Sequence, residues 1–99
     1  MGLSRKRPDT IPVKMSLTGQ LQTVEMNLVY NNITSKALED FMEREADPVK
    51  GLLHIVNEWD NEYPLTTEGV DEMESDWPGA TLAIIQGFHD ARRVQREKN

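Results

Sequence analysis

Two periods divide this chain. From Ile11 the repeat is two: Val13, Met15 and Leu17 alternate with Lys14 and Ser16. After Thr18-Gly19-Gln20, Val24, Met26, Leu28 and Tyr30 alternate with Glu25, Asn27 and Val29. Alternation of this kind belongs to a strand with one buried face. Two such runs about a glycine predict an antiparallel hairpin over about residues 11–30, with Gly19 supplying the positive φ of a tight turn. Asn31-Asn32 ends the second strand, because Asn tolerates turn conformations.

Beyond Ile33 the repeat becomes helical. Thr34 or Ser35 can cap a first helix, with Leu38, Phe41 and Met42 as its apolar stripe. Asp47-Pro48 restarts the pattern, Asp47 as the cap and Pro48 in the first helical position, where a missing N–H costs nothing. Val49, Leu52, Leu53, Val56 and Trp59 follow at i, i+3, i+4, i+7 and i+10, which predicts one amphipathic helix through Trp59. Tyr63-Pro64-Leu65 interrupts it. Thr66 or Thr67 caps a third helix that turns Val70, Met73 and Trp77 inward, with Glu68, Asp71 and Glu72 near its positive end. Trp77-Pro78-Gly79 stops this helix, and a fourth runs from Ala80 through Ile84, Ile85, Phe88, Ala91 and Val94, basic in its last turns.

A lone hairpin is marginal in water and must lay its apolar face on something. The expected fold is therefore α+β: an N-terminal β-hairpin packed on a small bundle of about four short helices spanning about 35–96. Residues 1–10, polar and basic, read as a flexible arm, and 11–99 as one domain.

Charge changes the picture more than composition does. The 99 residues are 37% hydrophobic and 28% charged, in the range of a folded globular chain, and carry a net charge of −6. That balance argues against general nucleic-acid binding, which needs clustered Lys and Arg. The signs are segregated. Arg5, Lys6 and Arg7 lie at one end of the sequence and Arg92, Arg93, Arg96 and Lys98 at the other. Between Glu58 and Asp76 stand eight acids and no Lys or Arg. Such a segment reads as an acidic solvated surface or as a docking face for a basic partner. No apolar run approaches the roughly 18 residues of a membrane helix. The basic start has no apolar stretch behind it, which argues against a secretory signal. These features point to a soluble protein of the cytoplasm.

Candidate chemistry is sparse. There is no cysteine, which removes disulfides, thiolate metal sites and a thiol nucleophile. His54 and His89 lack companions at ligand spacing and read as boundary or surface residues, so no metal site is expected. Glu68, Glu72 and Asp76 share a helix face and read as solvated. Asp60-Asn61-Glu62 lacks the glycine and terminal glutamate of a calcium loop. No catalytic triad, zinc-hydrolase or phosphate-loop motif occurs. The sequence thus predicts no catalytic residues, no cofactor and a protein-binding role.

The second half carries a recognisable run: Leu53, Trp59-Asp60, Tyr63-Pro64-Leu65-Thr66, Trp77-Pro78-Gly79-Ala80, Ala83-Ile84 and the charged end Arg96-Glu97-Lys98-Asn99. This run, over roughly residues 49–99, resembles the tail assembly chaperones of long-tailed bacteriophages and prophages. The resemblance implies a non-enzymatic protein that binds the long helical tape measure protein, keeps its apolar segments soluble and helps recruit tail tube subunits. It implies action in the bacterial cytoplasm and absence from the mature virion. In many members a ribosomal frameshift yields a longer second product with a C-terminal extension, through which tail tube protein can be bound; a chain ending at Asn99 corresponds to the short form or to a family without the extension.

The fourth helix has more apolar surface than one core stripe needs. Ala80, Ile84 and Ala91 suffice for that stripe, and Leu82 and Ile85 lie away from it at about 100° per residue. Leu82, Ile85 and Phe88, with Trp77 at the helix entrance, are therefore the expected partner-binding residues. Two other readings remain at this stage. One is an acidic inhibitor or DNA mimic resting on the Glu58–Asp76 acids; the other is a small structural tail or connector component.

Overall fold

The computed structural model describes residues 2–97; Met1, Lys98 and Asn99, the last two belonging to the basic tail, lie outside them. Residues 2–9 are exposed and without regular structure. Strands β1 (Thr10–Gly19) and β2 (Gln22–Asn31) form the expected hairpin, paired from Thr10↔Asn31 to Gly19↔Gln22. The register sets Ile11, Val13, Met15 and Leu17 against Tyr30, Leu28, Met26 and Val24 on one face. The turn differs from expectation. Gly19 belongs to the ladder, and the positive φ falls on Gln20 (53°) and Leu21 (64°).

Helix α1 (Ser35–Arg44) begins where Thr34 Oγ1 accepts from the Ala37 amide at 3.1 Å. Helix α2 (Pro48–Ile55) begins with Asp47 Oδ1 accepting from the Val49 amide at 3.0 Å and Pro48 in the first position. The Phe41 ring stacks on His54 at 3.9 Å and ties α1 to α2.

The predicted helix through Trp59 does not persist. It ends at Ile55, and Val56–Trp59 forms a third strand, β3, antiparallel to β2. Val56 and Trp59 fit a helical stripe, but they are also β-formers with weak helix propensity. The free edge of β2 offers them backbone partners that a helix extension could not offer β2. The pairing runs Leu28↔Trp59, Val29↔Glu58 and Tyr30↔Val56, with a register shift that leaves Asn57 as the extra residue of a bulge. Asp60 clamps the end. Its carboxylate accepts from Asn27 Nδ2 at 2.9 Å and the Asn27 amide at 2.8 Å, and its own amide donates to the Asn27 carbonyl.

Helices α3 (Thr67–Asp76) and α4 (Ala80–Arg92) complete the fold. The helix α4 expected to reach about 96 stops at Arg92. Val94 beyond it is 78% exposed, so a further turn would bury nothing. Instead Arg92 Nε donates to Asn32 Oδ1 at 2.9 Å, and Arg7 Nη1 to the Asn32 carbonyl at 3.3 Å, so both basic ends of the chain meet at the end of β2.

The architecture is α+β, a three-stranded antiparallel sheet in the order β1-β2-β3 with four helices. The core lies between the apolar sheet face and α2, α3 and α4. It contains Leu28 and Tyr30 of β2, Leu52 and Ile55 of α2, Val70 of α3, and Ile84 and Phe88 of α4, all essentially inaccessible. Each such side chain contributes about 1.5–3 kcal/mol relative to exposure. Tyr30 meets Phe88 edge-on at 5.6 Å, and its hydroxyl donates to the Ile84 carbonyl at 2.6 Å. Burial, with the charge of Asp90 as a smaller cause, raises the Tyr30 phenol well above its ordinary range. α4 rests on β1 at Gly87, where a Cβ would press on the Met15 methyl and lie 2.7 Å from the Tyr30 oxygen.

Candidate functional site

The strands outrun the helices. Ten residues of strand extend about 33 Å, whereas the 13 residues of α4 cover about 20 Å. The apolar hairpin face is covered at Tyr30 and Leu28 but not at its far end. There Leu17 is half-buried and Val24 is 45% exposed, although they stand opposite each other on the face that forms the core.

A groove of about 530 Å³ opens at this place between the hairpin end and the corner joining α3 to α4. Leu17, Val24 and Met26 line its sheet side, and Trp77, Ala80 and Ala83 its helical side. Met73 and Asn61 lie between them; Asn61 Nδ2 points at the sulfurs of Met26 (3.5 Å) and Met73 (3.4 Å). Thioether side chains have soft, adaptable surfaces suited to binding varied apolar groups.

The helical wall is built by caps. Thr66 Oγ1 accepts from the Gly69 amide at 3.1 Å and starts α3. At the start of α4, Gly79 sits at φ 97° with no side-chain cap of its own. Glu74 of the preceding helix supplies the cap, accepting from the Gly79 amide at 2.7 Å and the Thr81 amide at 3.0 Å. These amide bonds, Gly79 first, hold the Glu74 carboxyl below its ordinary range. The hairpin tip is tied to the same corner through Gln20 Nε2, which donates to the Asp76 carbonyl at 2.7 Å.

The groove edge is acidic. Asp60 and Glu62 line it and no Lys or Arg does, while Glu25, on the opposite face of the sheet, pairs with Lys14 at 2.9 Å. The Tyr63 hydroxyl donates to Asp76 at 2.7 Å, and this bond raises its phenol above the ordinary value, with the Asp76 and Glu72 charges adding. Asn27, through its side chain first and its amide second, holds the Asp60 carboxyl low. Among the described residues, Asp60, Glu62, Glu72 and Asp76 make no salt bridge. The groove therefore offers an apolar floor under negative potential. Among the described residues no three His, Asp or Glu side chains converge as a metal cluster, and no helix is long and apolar enough to cross a membrane.

A family model described as phage tail assembly chaperone matches residues 5–99. The chain belongs to this family. No curated protein and no solved structure matched it. The match extends over the hairpin as well as the second half, so both walls of the groove lie within the tail assembly chaperone match.

In this tail assembly chaperone the four residues expected to bind a partner do not share one surface. Trp77 is half-buried and lines the groove. Leu82 is 59% exposed, but its position on α4 is more than about 100° from the groove side of the helix between Ala80 and Ala83. Ile85 is half-buried against the core. Phe88 is a correction: it is fully buried, packed edge-on against Tyr30, and cannot present itself to a partner without unfolding α4. It falls between Thr81 and Ile84 on the buried face, a stripe wider than Ala80, Ile84 and Ala91 alone. Leu17 and Val24 of the groove were not among the residues expected from the sequence to bind a partner, and Met26 and Met73 beside them are buried. The signal for the open end is a length: two alternating strands of about 33 Å are not covered along their whole apolar face by a helix of about 20 Å.

Trp59 is also half-buried. It sits on β3, packs against the core and donates its indole N–H to the Tyr63 carbonyl at 2.9 Å.

Proposed function

We propose that this chain is a non-enzymatic chaperone that receives apolar helical segments of the tape measure protein in the groove between the hairpin end and the α3–α4 corner. It keeps those segments soluble until tail tube subunits, which it helps recruit, close around them. It acts in the host cytoplasm and leaves before the virion is complete. The observation that carries the reading is the open apolar face at Leu17 and Val24, facing Trp77 across the groove in a chain of this family. A small domain exposes such a face at a solubility cost unless a partner covers it, and an amphipathic helix laid in an apolar groove is a common way to do so.

Co-expression with the tape measure protein of the same phage tests this. The native chain should hold it in the soluble fraction. Val24→Asp, at an exposed groove position, should leave the fold intact and lose the tape measure protein. Leu82→Asp, on the other side of α4, should keep it. If Leu82→Asp loses the partner while Val24→Asp keeps it, the contact lies on the back of α4. If the native chain leaves the tape measure protein insoluble, the proposal fails.

A further inference from the structure

The hairpin turn carries strain, and its Leu21 side chain gains no burial in return. Because Gly19 pairs with Gln22, the loop consists of Gln20 and Leu21 alone, both at positive φ. Two-residue turns of this kind favour Asn and Gly, because a Cβ is crowded in the left-handed region. A leucine there is strained. It is also fully exposed, so its side chain gains nothing from burial. Strain held at an exposed apolar residue points outward, to a use in binding.

Its surroundings say what would use it. Gln20 ties the turn to the Asp76 carbonyl beside Trp77, so the tip is held at the groove rather than free. Gly19 and Gln20 line the groove end, and Leu21, fully exposed, is the next residue of the same turn. The groove edge carries Asp60 and Glu62 with no cation, and Asp76 and Glu72 stand by Tyr63. A segment lying there would meet apolar surface along its middle and negative charge along its side.

We infer that Leu21 is a docking anchor of the groove, and that the site selects apolar helical segments edged by Lys or Arg. The inference rests on the tape measure reading and adds to it the residue that grips and the charge pattern that is recognised. Apolar contact from Leu21 holds the segment, and the acidic rim sets its orientation and rejects acidic segments.

The test uses the full chain and synthetic peptides of the tape measure protein's apolar helical segments, each made with its native Lys and Arg and with these replaced by Gln. Binding is read by fluorescence anisotropy and stability by urea unfolding. Leu21→Gly relieves the strained φ and removes the side chain. It should raise the urea midpoint while weakening binding about tenfold or more. A residue with a merely structural role would not move these two readouts in opposite directions. Glu62→Lys should weaken the native peptides while leaving the urea midpoint unchanged, and the Gln peptides should bind the native chain about tenfold more weakly at low salt. If native peptides bind but Leu21→Gly binds them equally well, the anchor is wrong and the tape measure reading stands. If the Gln peptides bind as well as the native ones, the charge selection is wrong. A lower urea midpoint for Leu21→Gly overturns the strain argument. If the native chain binds no segment, both the inference and the reading beneath it fall.

Discussion

Gly87 is the position at which α4 settles onto β1, and Gly87→Ala tests whether that close approach sets the groove. Two effects oppose each other. In an unencumbered helix interior, alanine in place of glycine stabilises by about 1 kcal/mol. Here the new Cβ would press on the Met15 methyl and lie 2.7 Å from the Tyr30 oxygen. Met15 ends in a flexible thioether and can yield. Tyr30 cannot, being inaccessible to solvent with its hydroxyl held by the Ile84 carbonyl at 2.6 Å. Forcing extra volume into such a site costs about 1–3 kcal/mol. The expected net loss is therefore about 1 kcal/mol, rising to about 2 if the helix cannot shift. Urea unfolding followed through Trp59 and Trp77 fluorescence would measure it, with an unchanged slope marking a change in stability alone. Tyr30→Phe removes the obstructing oxygen and by itself costs about 1 kcal/mol of hydrogen bonding. The double variant should be less destabilised than the sum of the singles by at least about 0.5 kcal/mol, because the two changes meet at one point. A Gly87→Ala protein as stable as the native chain, or strict additivity in the cycle, would refute the reasoning.

Three further outcomes can be checked. Trp59→Ala should cost about 2–3 kcal/mol, less than a fully buried tryptophan, because the ring is only half-buried and one indole bond is lost. Phe88→Ala should cost about 3–5 kcal/mol while Leu82→Ala costs less than about 0.5, a contrast in thermal unfolding set by burial alone. Glu74 should make stability depend on acid. Its folded pKa lies below its unfolded value of about 4.3, so its contribution is full above that value and is lost as pH falls through the folded pKa. Glu74→Gln should therefore flatten the fall in thermal midpoint between about pH 5 and pH 3 and lower the stability at neutral pH by a capping contribution of about 1 kcal/mol; an unchanged acid limb would show that the cap does not form.

Much of this protein follows from local sequence. The alternation from Val13 to Tyr30 determined the hairpin and its buried face, because a period of two leaves no other way to bury one side. Asp47 marked one helix start, and the pairs Thr34/Ser35 and Thr66/Thr67 placed two others to within a residue, since each capping oxygen reaches an amide only two or three residues away. The run of motifs over roughly residues 49–99 already resembled the family to which the chain belongs. The tertiary structure decided whatever depended on a distant partner. Val56–Trp59 satisfied a helical period, and only the free edge of β2 made them a strand. Gly19 satisfied a turn rule, and only the ladder register passed the positive φ to Gln20 and Leu21. Phe88 and Leu82 stand on one short apolar helix, and only the presence of Tyr30 on one side and solvent on the other buried the first and exposed the second. The groove exists because two strands extend past the helices that cover them. That mismatch is a relation between elements, and residue periods, which act over a few positions, do not specify how far one element reaches beyond another.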